Sequence, residues 1–180
     1  MTNLQKREMS DAALARLVQS GDADALGALF DRYDEMVYRV AYRLLGRRED
    51  AEDAVQDVFG GLRVALAKYV EGGSLDSWLR RVTVRTALMK RRAEARRPAE
   101  SFAEADATPR IDRDAALAIS IEDAIAALPA PLRSVVVLRI IEGYSHEEIA
   151  QLLDISVGAS KVRLHRAVQR LRTALGDFVS

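Results

Sequence analysis

Apolar residues recur at three-and-four spacing along most of this chain, the mark of helices buried on one face. Ser10 and Asp11 open a short helix ending near Ser20-Gly21. Asp22 then caps a long helix with apolar positions Leu26, Leu29, Phe30, Tyr33, Met36, Val37, Val40, Ala41 and Leu44, stopped by Gly46. A third helix is expected from about Arg48 to Lys68, burying Ala51, Ala54, Val55, Val58, Leu62, Ala65, Leu66 and Tyr69. Paired glycines before Ser74 make a loop, and Ser74 caps a fourth helix with Leu75, Trp78, Leu79, Val82 and Leu88 inward. Trp78, the only tryptophan, is expected as a buried anchor rather than a base-stacking group.

The spacing lapses from about Ala93 to Asp114, where two prolines and mixed charge read as a linker. As a flexible coil it would reach ~25 Å, against a contour limit of ~70 Å. Beyond it, a helix over Ala115–Leu128 packs Leu117, Ile121, Ala124, Ile125 and Leu128 inward and is broken at Pro129–Pro131. Another covers Leu132–Glu142 and stops at Gly143. The fold class is therefore all-α, with two small helical domains (10–95 and 115–176) joined by a flexible linker (96–114).

The last stretch, Gly143 to Arg172, carries the clearest chemistry. Ser145 with Glu148 forms a capping box for a short helix whose buried face is Ile149, Ala150, Leu152 and Leu153. Asp154 falls where the chain must turn, and Asp tolerates a left-handed backbone. A longer helix from about Val157 begins with a small tip (Gly158, Ala159, Ser160) and continues through Lys161, Arg163, Arg166, Arg170 and Arg172, among Val162, Leu164, Val168 and Leu171. Two helices at a steep angle, the second small-tipped and basic, describe a helix-turn-helix that places its second helix in the major groove. A plain helical hairpin would share the pattern, but a solvated face usually mixes signs, and no acid interrupts these cations.

The 180 residues carry 27 basic and 27 acidic side chains, so only the distribution of charge is informative. Arg80, Arg81, Arg85, Lys90, Arg91, Arg92, Arg96 and Arg97 stand against the single Glu94, while Glu49, Asp50, Glu52, Asp53 and Asp57 form an acidic run. Two basic segments and a separate acidic one imply two kinds of partner, DNA and a protein. The macrodipole welcomes acids at the start of the third helix, but Asp57 lies two turns in. With no cysteine, disulfides, thiolate metal sites and Cys nucleophiles are excluded. No signal peptide or membrane span is evident, so a cytoplasmic protein without membrane insertion is expected. His146-Glu147 would begin an HExxH zinc motif, but Ala150 stands where the second His is required. No enzyme activity and no cofactor are expected.

Three stretches taken in order resemble the extracytoplasmic-function sigma factors: Arg48–Phe59, Ser74–Arg92 and Leu128–Arg172. The likeness spans nearly the whole chain and implies a factor that binds bacterial core RNA polymerase, recognises −10 and −35 promoter elements and initiates transcription of a specific regulon. It implies docking of Asp50, Asp53, Gln56, Asp57 and Phe59 on the β′ coiled-coil, with the β flap as a second polymerase contact. Lys68, Tyr69, Ser74 and Trp78 would surround a base flipped from the −10 strand, with Arg80, Arg81, Arg85 and Arg92 along its backbone. Ser156, Gly158, Ala159, Ser160, Lys161, Arg163 and Arg166 would serve the −35 element. The elements lie more than about 35 Å apart, one DNA turn, so an extended linker is expected in the working complex. The resemblance further implies an anti-sigma factor as restraining partner and nucleoid association when active. With no extra domain expected after Ser180, control is expected to come from outside the chain.

The family usually has Asn at Arg85, Asp at Met89, Gly at Asp154 and an apolar residue at Ser160. Ser160 is open between a core position and an outward polar contact. The main alternative function is a helix-turn-helix regulator acting without polymerase docking, but residues 1–97 show neither a ligand-pocket signature nor dimerising heptads. An adaptor that had lost DNA binding should also have lost its basic helices, which persist.

Overall fold

A computed structural model describes residues 6–69, 73–96 and 121–176. The elements introduced below are all helices, and the chain divides into two compact units, residues 1–42 with 48–90 and residues 43–47 with 91–180. The expected linker beyond residue 96 and the start of the helix expected at Ala115 lie outside the described residues, as does 70–72 of the expected base-capture loop.

In the first unit, α1 (Asp11–Gln19) is capped by Ser10, whose hydroxyl accepts from the Ala13 N–H. Asp22 caps α2 (Ala23–Leu45) in the same way through the Ala25 N–H at 2.9 Å. Lys6 is buried, and its ammonium donates to Asp22 at 2.6 Å and to Asp24 at 3.2 Å. Asp22 is held below the usual carboxylate range chiefly by that ammonium. Arg32 donates to the Arg7 and Met9 carbonyls and pairs with Asp11, fastening the start of the chain to α2. Gly46, at φ +79°, ends α2 in a conformation that an L side chain strains to adopt.

The expected third helix is two helices, α3 (Arg48–Gly60) and α4 (Leu62–Leu66), separated at Gly60-Gly61. The glycines carry no packing side chain and weaken a helix interior by about 1 kcal/mol each relative to Ala. α5 (Leu75–Arg96) runs past the point where the linker was expected to begin. The unit's core joins Leu14, Val18, Leu29, Val37, Val55, Val58, Leu62, Leu66, Leu75 and Leu79, with Trp78 partly buried against it. Phe30 departs from its expected inward place: it is 41% exposed.

In the second unit, α6 (Ile121–Ala126) precedes α7 (Ala130–Val136), where Pro131 occupies the first turn and costs no helical hydrogen bond. The last turn widens to a π-turn at Val137–Ile141, with the Glu142 N–H reaching the Val137 carbonyl at 3.0 Å. α8 (His146–Leu153) and α9 (Val157–Gly176) form the expected helix-turn-helix. Both halves of the Ser145–Glu148 capping box are present. Asp154 has φ 54° and ψ 54°, the left-handed turn expected of it. Replacing it by Gly should leave the thermal transition level or raise it slightly, whereas Asp154→Val should cost about 1–2 kcal/mol; equal melting of the two variants would contradict a conformational role.

Candidate nucleic-acid and protein-docking faces

The exposed side of α3 splits into two stripes. Asp53 and Asp57 share one, and both meet Lys90 of α5, at 3.7 Å and 2.8 Å. The Asp57 carboxylate, as the strongest influence, holds the Lys90 ammonium above its ordinary range. Part of the acidic run is thus balanced within the unit. Glu52 and Gln56 share the other stripe, which faces α2 across a groove of about 520 Å³ lined by Phe30, Asp34, Glu35, Tyr38, Glu52, Val55 and Gln56. Acids rim this groove and an aromatic pair underlies it: the Phe30 and Phe59 rings lie 4.8 Å apart at 60°.

Phe59 is therefore not the outward docking group expected from the sequence. It is 6% exposed, because position 59 continues the inward stripe of Ala51, Val55 and Val58. The aromatic presented to solvent on this side is Phe30, which sequence reasoning placed in the core. A signal was present in the i and i+4 spacing of Phe30, Asp34 and Tyr38, an aromatic–acid–aromatic row on one face of α2. Asp50 is half-buried, while Asp53, Gln56 and Asp57 are exposed.

At the expected −10 site, Tyr69 donates to the Gly73 carbonyl at 2.7 Å and meets Trp78 edge-on at 5.4 Å. These rings brace the base of the loop and pack against the core, as expected of Trp78. Lys68 is exposed, and Ser74 accepts from the Ser77 N–H at 3.4 Å, a long cap. Arg80 pairs with Asp76 at 2.8 Å. Arg81, Arg85, Met89, Arg92 and Arg96 follow one another at three-and-four spacing on an exposed stripe of α5. The face expected to be basic along this helix is so, except at Met89.

In the helix-turn-helix, Ser160 is fully buried, which answers the question the sequence left open. Its hydroxyl lies 2.9 Å from His146 Nδ1, tying α9 to the start of α8. Ser160 is therefore a packing position between the two helices and not a DNA contact. Ala159 and Arg163 are half-buried, whereas Ser156, Gly158, Lys161 and Arg166 are exposed. Two residues outside the expected contact set, Val162 and His165, are exposed between those cations. No cluster among the described residues could hold a metal ion, and no described helix is long and apolar enough to cross a membrane.

Comparison with known proteins matches two family models: sigma-70 region 2 over residues 29–97 and sigma-70 region 4 over residues 118–171. The chain is 35% identical over 172 residues to the ECF RNA polymerase sigma factor SigE of Mycolicibacterium smegmatis, spanning 89% of this chain and 66% of that relative. It is 32% identical to SigM of Mycobacterium tuberculosis, over 95% of this chain and 87% of that one. It is also 32% identical to the sigma-E factor of Escherichia coli K12, over 89% and 91% of the two chains. Two solved structures share the fold, each with a TM-score of 0.52 and 24% identity. These are CnrH in complex with the cytosolic domain of CnrY, covering 93% of this chain and 98% of that one, and RpoE of Bartonella quintana in complex with the anti-sigma factor NepR, covering 82% and 94%. The identity and coverage to SigM and sigma-E, together with the two region matches in order along the chain, establish that it belongs to the ECF RNA polymerase sigma factors.

Proposed function

We propose that this sigma factor divides its work between residues 10–95, which dock on core polymerase and grip the −10 strand, and residues 115–176, which read the −35 element. The observation that carries the reading is the separation of chemistry: an acid-rimmed aromatic groove between α2 and α3, a basic stripe on α5, and a small-tipped basic α9. Each face suits one partner. The acidic α3, with Asp50, Asp53, Gln56 and Asp57, takes the β′ coiled-coil, and the groove beside it extends that surface. Lys68, Tyr69 and Trp78 frame the base-capture loop, while Arg81, Arg85 and Arg92 follow the strand's phosphates. The role is binding rather than catalysis, exercised in the cytoplasm on the nucleoid. A restraining anti-sigma factor belongs to the same proposal; the Bartonella relative is itself held by one.

Run-off transcription from a genomic fragment library with purified core polymerase, with and without this chain, tests the function and identifies the promoter. A defined set of new transcripts that require the chain is expected; their absence would refute the reading. On such a promoter, Lys161→Ala and Arg166→Ala should each weaken holoenzyme binding and reduce the salt dependence by about one phosphate contact, without altering core affinity. An unchanged salt slope in both variants would remove these residues from the backbone contacts.

A further inference from the structure

The solvent face of α9 sorts by angle. At about 100° per residue, Gly158, Val162, His165 and Gln169 form a crest pointing away from buried Ser160 and Ala167. Lys161 and Arg166 stand on opposite shoulders of that crest. A helix in the major groove, which is ~12 Å wide, brings its crest to the base edges and its shoulders towards the two phosphate backbones. The cations thus stand where phosphates pass, and the base-facing position one turn into the helix is occupied by an apolar side chain. Val162 is 49% exposed there, with cations on either side of it.

Gly158, one turn before it, strengthens the point. A Cβ added to Gly158 would meet only Ser156 Oγ, at 3.8 Å, so nothing within the chain's own packing requires a glycine. Glycine is also a poorer helix former than Ala, so helix stability does not explain it. Its absent side chain lets an external surface approach the helix tip and brings Val162 within reach of that surface. In the major groove the one apolar feature of a base edge is the C5-methyl of thymine. Valine suits that contact, because its χ1 is already confined in a helix and little freedom is lost on binding.

We propose that Val162 is a specificity-determining residue that selects a thymine in the −35 element by packing on its C5-methyl, with His165 offering ring nitrogens to the neighbouring base edge. The inference rests on the assignment of α9 as the −35 reader. It is tested with holoenzyme assembled from the full chain and core polymerase, on the promoter found by run-off transcription. Each −35 thymine is replaced singly by deoxyuridine, which removes the methyl and keeps every hydrogen-bonding group. Binding should fall about fourfold at one position, the worth of one buried methyl. With Val162→Ala, an exposed change that keeps the helix, the same replacement should have no effect. If no deoxyuridine weakens binding, or if the loss persists undiminished in Val162→Ala, the inference is overturned while chain-dependent transcription still stands. Failure of the chain to support any transcription would overturn the underlying assignment and this inference with it.

Discussion

Replacing Asp34 and Glu52 together by lysine should lower the affinity of this sigma factor for core polymerase by about two orders of magnitude and leave its thermal unfolding in place. Both carboxylates rim the groove between α2 and α3, one from each helix, over a floor that includes Phe30, Tyr38 and Val55. A partner that fills an acid-rimmed groove brings cations to it, and like charges set against each other across an interface cost several kcal/mol. Neither carboxylate lies in the core, so reversal should change folding by no more than about 0.5 kcal/mol. Core binding measured by surface plasmon resonance or competition, beside a melting curve, separates the two effects. Undiminished binding of the folded variant would move the docking surface away from the groove.

The same comparison clarifies Asp53 and Asp57. Reversing them brings three cations together, because Lys90 already lies against both. A loss of core binding in Asp53→Lys/Asp57→Lys therefore mixes a lost docking surface with a disturbed junction between α3 and α5. On the proposed assignment, with α3 docking on polymerase and α5 on the −10 strand, Lys90, donating to Asp57 at 2.8 Å, helps to hold the two faces together within one unit. The exposed ion pair itself is worth at most about 1 kcal/mol, and the shared core of Val55, Val58, Leu75 and Leu79 does most of the holding.

Where local chemistry decides a feature, the sequence could be read directly. The Ser10, Asp22 and Ser145 caps, the stop at Gly46 and the left-handed Asp154 all depend on a few consecutive residues, and all appear as expected. What escaped were matters of angle and tertiary position. Phe30 was expected inward and Phe59 outward, yet their packing reverses both: Phe59 is covered while Phe30 faces the groove. Val162 looked like one more apolar residue in a basic helix until the burial of Ser160 and Ala167 fixed which side of α9 is outward. Ser160 could not be assigned by type, since a serine suits solvent or a buried hydrogen bond. His146, its partner, lies 14 positions away across the turn. The helix expected to continue to Lys68 failed at Gly60-Gly61, where the spacing of apolar residues outweighed a weak breaker in the reading.

Ile149→Ala should weaken promoter discrimination at the −35 element while core binding is retained. Ile149 is the fully buried side chain of α8, which with α7 holds α9 at its angle. Truncating it costs the transfer of the lost methylenes and leaves a cavity, together about 3 kcal/mol. That is a large share of the ~5 kcal/mol that a small domain commands. The hydrogen bond between His146 and Ser160, worth about 1 kcal/mol, does not offset the loss. The groove and the Lys90 junction belong to the other compact unit, so docking should survive. Run-off transcription from a promoter that depends on its −35 element should fall severalfold, because the cavity loosens the hold of α8 on α9 while the ~2 kcal/mol that remains keeps the unit folded. Core affinity should remain within about twofold, since Ile149 and the groove belong to different compact units. Parallel loss of core binding would show that the two units depend on one another for folding, and full promoter use would show that α9 keeps its reading angle without the Ile149 anchor.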